Sequence, residues 1–109
     1  MQIFEKAFLD IWERVPEARA KMRVHKAIVE KGICEGAQHT RASSDHGQYF
    51  DASFFFRCLA SEEDPMEPLK EDQLVDIQFY GTESWRKYRI AARKQTAGVL
   101  TLTMVSPNE

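Results

Sequence analysis

Apolar and polar residues alternate through most of the C-terminal half of the chain, and this alternation constrains the fold more than any other feature. Alternation over four to eight residues is typical of a strand with one buried face. Val75, Ile77 and Phe79 are predicted to face inward. The other sets of side chains predicted to share one face of their strand are Phe54, Phe56 and Cys58, then Tyr88, Ile90 and Ala92, and finally Leu100, Leu102 and Met104. The part of the chain from 50 to 105 is therefore predicted to be rich in β-structure.

Short turn sequences separate the last three alternating segments. Residues 81–84 lie between segments 74–80 and 85–93, and Ala97-Gly98 precedes segment 99–105. Turns this short join antiparallel neighbours, so we predict a three-stranded antiparallel meander at the end of the chain. With one or two earlier strands, the meander would close into a small β-barrel or sandwich.

The N-terminal segment has helical periodicity instead. Its large apolar residues fall on one stripe of an α-helix over residues 3–15, and Pro16 ends or kinks that helix. The members of the stripe are Ile3, Phe4, Ala7, Phe8, Ile11, Trp12 and Val15. So apolar a stripe must dock on a sheet or on another subunit. The prediction is one α+β domain, 1–109, with an N-terminal amphipathic helix packed on a small antiparallel barrel or sandwich.

Two segments between the helix and the β-rich part are less regular. Residues 17–32 fit a helix that starts at Pro16 and ends at Gly32. They also fit a strand that starts near Met22, which we favour; on it the side chains of one face would be Met22, Val24, Lys26 and Ile28. Residues 36–49 are almost entirely polar and are predicted to form a long loop. Loops of about 12 residues or more in a small domain are usually functional or disordered.

The near-zero net charge conceals two blocks of opposite sign. Fifteen Lys and Arg against seventeen Asp and Glu give −2 for 109 residues. Residues 62–76 contain seven acidic side chains and one basic one, whereas residues 86–94 contain five basic and no acidic ones. Either the two blocks form opposite-signed faces that bear on partners, or they lie close together and compensate one another.

Several functional classes find no support in the composition. The longest apolar run is Phe54-Phe55-Phe56, far below the roughly 20 residues of a membrane-spanning helix, so no membrane partner is expected. Residues 1–9 carry charges at Glu5 and Lys6 and do not read as a secretory signal. Cys34 and Cys58 are isolated thiols without CxxC spacing, which favours a reduced cytoplasmic setting.

Motifs for catalysis and for cofactor or metal binding are also missing from the sequence. Cys34, His39 and His46 lack the paired short spacing of a zinc site. The segment Ser43-Ser44-Asp45-His46 has the residue types of a hydrolase triad but no nucleophile elbow. Neither GxGxxG nor GxxxxGK[ST] occurs. We therefore predict no enzyme, no cofactor and no metal ion.

One segment combines aromatic and cationic residues in a way that suits nucleic acid. Trp85-Arg86-Lys87-Tyr88-Arg89 lies on a predicted strand, and small barrels use such strands to stack bases and neutralise phosphates. A pI of about 5.9 opposes binding to a polyanion, so nucleic acid is not expected to be the main partner. A small-barrel module that binds single-stranded nucleic acid or a peptide is the alternative function.

The order of elements, together with four segments, resembles the head–tail joining (neck) proteins of long-tailed bacteriophages, with the lambda-type protein the closest comparison. Ser53-Phe54-Phe55-Phe56-Arg57 is similar to that family's strand after its mobile loop. Residues 68–77, PLKEDQLVDI, are similar to its leucine–basic–polar–Asp turn and the strand that follows. Residues 85–90 and 98–104 resemble its final hairpin.

The resemblance implies a non-enzymatic structural protein of virion assembly. Such a protein binds below the portal and connector, associates into a ring, presents a surface to the tail, and is a monomer when free. It would occur in the host cytoplasm during assembly and then in the virion. By position, 38–49 corresponds to the family's mobile loop, and the implied assembly residues are His39, Arg41, Asp45, His46 and Tyr49. The residues of the aromatic–cationic segment are candidates either for an interface or for the nucleic-acid strand: Trp85, Arg86, Lys87, Tyr88 and Arg89.

Overall fold

The structure is a computed structural model that describes residues 3–36, 53–63 and 66–107 in full, and the backbone alone of 41–44 and 47–50. Helix α1 spans Ile3–Arg14, and a 3₁₀ turn follows at Pro16–Ala18. Eight strands follow, with a second 3₁₀ turn at Ala60–Glu63 after the fifth. The strands are β1 Arg19–Val24, β2 Ala27–Glu35, β3 Arg41–Ser44, β4 Gly47–Phe50, β5 Phe54–Leu59, β6 Leu74–Phe79, β7 Arg86–Thr96 and β8 Val99–Val105.

Six of these strands form a closed antiparallel barrel in the order β1-β2-β5-β8-β7-β6, and β6 returns to pair with β1. This confirms the α+β class and the small barrel. Along the last part of the chain, β6 pairs with β7 and β7 with β8. Closure matters because it satisfies the backbone hydrogen bonds of all six strands and removes exposed sheet edges.

The core fills the inside of the barrel and follows the alternation of the sequence. Phe54, Phe56 and Cys58 are buried, whereas Phe55 on the same strand is exposed. On the last strand, the three residues predicted to share a face are likewise all buried: Leu100, Leu102 and Met104. Phe54 also makes an edge-to-face contact with Tyr88, their ring centroids lying 4.9 Å apart. Phe54, Phe79 and Tyr88 form one aromatic cluster within a core whose other residues are mostly aliphatic.

Residues 17–32 form a hairpin, as the strand alternative predicts in part. β1 and β2 are joined through His25 and Lys26, and His25 has a φ of 55°. The predicted alternation ran straight through this turn and placed Ile28 on the same face as Met22. That placement is wrong, since Ile28 is exposed and Val29 is buried. The turn shifts the phase by one residue, which exchanges the two faces of the strand.

A β-bulge corrects a second prediction. The register between β7 and β8 shifts between Ile90 and Ala92. A bulge adds one residue to one strand and so reverses the alternation beyond it. Ala92 was predicted to share a face with Tyr88 and Ile90, and it is exposed whereas they are buried.

The polar segment predicted as a loop contains two short strands. β3 and β4 pair with each other, from Arg41 opposite Phe50 to Ser44 opposite Gly47, and together form a separate two-stranded sheet. A hairpin that pairs only with itself needs no apolar face, which explains why hydropathy gives no signal for it. Residues 37–40, 45–46 and 51–52 lie outside the described part of the chain.

Candidate interaction surface

Helix α1 packs on the outside of the barrel, against β2, β5 and β8. Phe8 is its buried residue, only 3% exposed. On β2, Ile33 alternates with the inward-facing Cys34 and is buried too, although neither Phe8 nor Ile33 belongs to the barrel core. The helix therefore supplies a small second apolar layer over the outer face of these strands.

Trp12 fixes the C-terminal end of the helix. Arg19 at the start of β1 lies over the indole ring, 4.0 Å from its centroid, and its Nε donates to the carbonyl of Trp12 at 2.7 Å. The ammonium of Lys31 lies 5.0 Å from the same centroid. These cation–π contacts hold the half-buried indole ring of Trp12 against charged side chains of β1 and β2.

Near the N-terminal end of the helix, Glu5 lies close to the turn between β7 and β8. A Cβ built on Gly98, in the turn between β7 and β8, would lie 2.7 Å from the carboxyl carbon of Glu5. Gly98 has a φ of +87° and follows Ala97, at +47°, so this turn favours glycine for its backbone as well as for its space. The helix therefore extends from the β7–β8 turn to the start of β1.

Most of the apolar stripe of the helix is not covered by the barrel. The structure leaves 78% of Ile3 and 54% of Phe4 exposed, and Ile11 and Val15 are exposed as well. We call Ile3, Phe4, Ala7, Ile11 and Val15 the helix flank, since at 100° per residue they lie together on one side of Phe8. The amide of Val15 donates to the carbonyl of Ile11 at 2.9 Å, which extends the helical geometry to this last member.

A groove of about 310 Å³ lies beside the C-terminal end of the helix. Trp12, Arg19, Lys21, Phe79 and Tyr80 are among its lining residues. The indole N–H of Trp12 is buried and has no hydrogen-bond acceptor among the described residues. Glu30 also lines the groove and pairs with Lys21 at 3.2 Å, and Arg19 already lies over the Trp12 ring, so the groove offers mainly aromatic surface to another protein.

The two charge blocks compensate one another. Asp76 lies between Arg23 at 3.2 Å and Lys87 at 3.3 Å. Asp72 pairs with Arg89 at 2.7 Å, and Glu63 pairs with Arg93 and also accepts a hydrogen bond from the amide of Leu69. Three carboxylates of the acidic block thus pair with three cations of the basic block, so the two blocks lie close together and compensate one another in part.

Most side chains of the aromatic–cationic segment, 85–89, likewise make contacts within the molecule. Tyr88 is only 2% exposed, with its ring in the barrel core. Trp85 precedes β7, and the guanidinium of Arg23 lies over it at 4.4 Å. Lys87 and Arg89 hold the ion pairs described above, and Arg86 is exposed at the first position of β7. Of the two aromatic side chains, only Trp85 is accessible to a base.

The implied assembly residues fall on the segment between β2 and β5. Arg41 is the first residue of β3, and Tyr49 lies on β4 opposite Ala42. His39, Asp45 and His46 lie outside the described residues. The helix flank and the Trp12 groove, in contrast, were not predicted as site residues, although the excess of large apolar residues on the helix was the signal for the flank.

Both cysteines are protonated at neutral pH. Burial, together with the carboxylates of Glu62 and Glu63 and against the opposing effect of Arg93, raises the pKa of Cys58 to about 12. Burial and Glu35 raise the pKa of Cys34 well above its ordinary value. No group of three metal-ligating side chains occurs within the described residues, and no helix there is long and apolar enough to cross a membrane.

Comparisons with protein families, curated proteins and solved structures found no significant match to this chain. The function must therefore be argued from the molecule itself.

Proposed function

We propose that this chain is a structural protein of virion assembly that resembles phage head–tail joining proteins and forms a ring between the portal or connector and the tail. The observation that carries the proposal is the exposed helix flank on a barrel that is otherwise complete. The six strands satisfy one another, and the core needs no partner to fill it. Exposed large apolar side chains grouped on one element are typical of a protein–protein interface.

The resemblance to joining proteins indicates the partners, which are the portal or connector, the tail and other copies of the chain. The helix flank is the surface that we propose for binding them. A ring requires a contact between different surfaces of neighbouring copies. The helix flank is one such surface. The Trp12 groove, beside the C-terminal end of the helix, is a concave surface of different chemistry. Contacts to the portal and tail would use the same kind of exposed apolar and aromatic residues.

We also propose that the protein has no enzymatic activity. Its two thiols are held protonated by burial, and a thiol rather than a thiolate is a poor nucleophile. The carboxylates of the acidic block that pair with Arg23, Lys87, Arg89 and Arg93 serve the fold. These features support a binding role.

A deletion in the phage or prophage genome that carries this gene tests the proposal. Without the protein, we expect filled heads and finished tails that remain separate in electron micrographs. Purified protein added to that lysate should restore infectious particles. The gene should also lie between head and tail genes. Intact virions from the deletion strain would overturn the proposal.

Two matched variants connect the result to the helix flank. Ile11→Asp places a charge on the flank and should fail to restore particles. Glu13→Gln changes an exposed residue outside the flank and should restore them as well as the unmodified protein does. Equal restoration by both variants would show that the flank is not the surface that joins heads to tails.

A further inference from the structure

The closed barrel is complete without helix α1. All six strands pair with two neighbours, and the residues of the core cluster come from these strands and from the connection between β5 and β6. Phe8 is the one buried residue of α1, and it packs on the outside of the barrel rather than in this core. Removal of the helix would therefore leave the core cluster intact.

The strands under the helix carry apolar side chains on their outer face. Leu59 on β5 and Val99 on β8 lie opposite one another, are half-buried, and alternate with residues that face the core. Ile33 has the same outward orientation on β2 and is buried. We call Ile33, Leu59 and Val99 the outer patch. Helix α1 packs on these three strands, and its Glu5 lies beside Gly98, the neighbour of Val99 in the chain.

Few groups hold α1 on the barrel. Phe8 packs on its outer face, and Arg19 of β1 contacts the ring and the carbonyl of Trp12. A helix of twelve residues is marginal in water on its own, so the helical hydrogen bonds of α1 depend on docking. Undocking disrupts this thin layer and the contacts of Arg19, whereas unfolding of the barrel disrupts the whole core. The first process should therefore need much less free energy than the second.

We propose that α1 is a detachable cover, which undocks and unwinds as a unit while the six-stranded barrel stays closed, and which thereby exposes the outer patch. Local openings of this kind involve contiguous segments with few buried contacts, at free energies below that of global unfolding. In the docked state Phe8 and Ile33 cover one another's surroundings, and in the detached state both are accessible. A protein that binds only the detached state shifts the population towards it. The helix thus controls access to an apolar surface that is separate from the helix flank.

Amide exchange of the full chain tests this opening, which concerns the free protein and goes beyond the proposed function. The amides of α1 should exchange about tenfold or more faster than those of the barrel strands, and Phe8→Ala should speed exchange in α1 further. Ile77→Val is the decisive variant, because Ile77 is fully buried in the barrel core on β6. The docked and detached states both contain the folded barrel, so this variant should leave exchange in α1 unchanged and speed exchange in the strands about fivefold. Equal acceleration of α1 and the strands would overturn the proposal.

Thiol labelling distinguishes undocking of the whole helix from fraying of its ends. The double variant Ile33→Cys/Cys34→Ala has one thiol beneath the helix, and its other thiol, Cys58, lies in the barrel core. The introduced thiol should react with a maleimide about tenfold or more faster than Cys58, because undocking exposes it while the barrel stays closed. Addition of Ile77→Val should speed the labelling of Cys58 alone. Equal labelling rates of the two thiols would show that α1 leaves only when the barrel unfolds, and would overturn the proposal.

Discussion

Arg19 holds the ring and the carbonyl of Trp12 at once: its guanidinium carbon lies 4.0 Å from the ring centroid, and its Nε donates to the carbonyl oxygen at 2.7 Å. A second nitrogen of the same guanidinium donates to the carbonyl of Glu13 at 3.3 Å. The last carbonyls of a helix lack partners within it, and a cation there also interacts favourably with the helix dipole. One side chain from β1 thus joins the helix end to the barrel.

Arg19→Ala should therefore loosen the helix from the barrel. The loss of a charged hydrogen bond and a cation–π contact should lower the free energy of unfolding by about 1–2 kcal/mol. Urea unfolding measures the change, and amide exchange should become faster over α1 than over the barrel strands. Arg14→Ala is the matched control, because Arg14 is exposed and, within the described part of the chain, its one ion pair is with Asp10 four residues earlier. Equal effects of the two variants would contradict the anchoring role of Arg19.

Gly32 is required because Phe56 lies against its backbone. A Cβ at Gly32 would lie 2.2 Å from Cζ of Phe56, whose ring is fully buried in the core. Gly32→Ala must displace that ring, and overpacking of this kind typically costs about 1–3 kcal/mol. Thermal or urea unfolding should detect the loss.

The double variant Gly32→Ala/Phe56→Leu tests the cause. A smaller side chain at 56 makes room for the new methyl group, so the cost of Gly32→Ala should be smaller in that background. Additive effects of the two substitutions would place the strain elsewhere.

The sequence predicts the fold well where one face of a strand is buried continuously. On β5 and on β8 the residues predicted to share a face are buried together, because each strand crosses the core without interruption. The helix was also predicted to within one residue, since Pro16 ends it on steric grounds. In these elements, local pattern and tertiary packing require the same residues.

Prediction fails where the backbone changes phase without a sequence signal. The hairpin at His25 and Lys26 contains neither Gly, Pro, Asn nor Asp, and the bulge at Ile90 and Ala92 is specified by the curvature of the barrel. The ion pairs between the two charge blocks could not be predicted from the sequence either, because residues such as Glu63 and Arg93 are 30 positions apart and meet only in the folded barrel. The exposed fraction of the helix stripe depends on how much of the helix surface the barrel covers. The periodicity of the sequence carries no information about that covered area.

The buried thiol of Cys58 should make stability depend on alkaline pH. Its pKa rises from 9.0 to about 12 on folding, because burial disfavours the thiolate. The protonated thiol is thus favoured in the folded state, and its contribution is complete below pH 9. It is lost as the pH rises from 9 towards 12, at about 1.4 kcal/mol per unit for a single group.

Urea unfolding at several pH values between 8 and 11 measures this loss. Cys58→Ala removes the titrating group, so its free energy of unfolding should start lower, because of the cavity, but should fall less steeply with pH. Other groups that titrate in this range are common to both proteins and cancel in the difference between the slopes. Parallel curves would mean that Cys58 does not ionise on unfolding.

The pairing of Asp76 with Arg23 and Lys87 makes a prediction about nucleic acid. Because carboxylates neutralise this surface and Tyr88 is buried, we expect no binding of single-stranded DNA by the unmodified protein at about 50 mM salt. Asp76→Asn releases both cations beside Trp85 and should produce weak, salt-sensitive binding in fluorescence anisotropy. Glu67→Gln removes one negative charge from an exposed position elsewhere and should not. Binding by the unmodified protein that Trp85→Ala weakens would favour the nucleic-acid module over a role in virion assembly, because base stacking on that ring contributes about 1–3 kcal/mol per base.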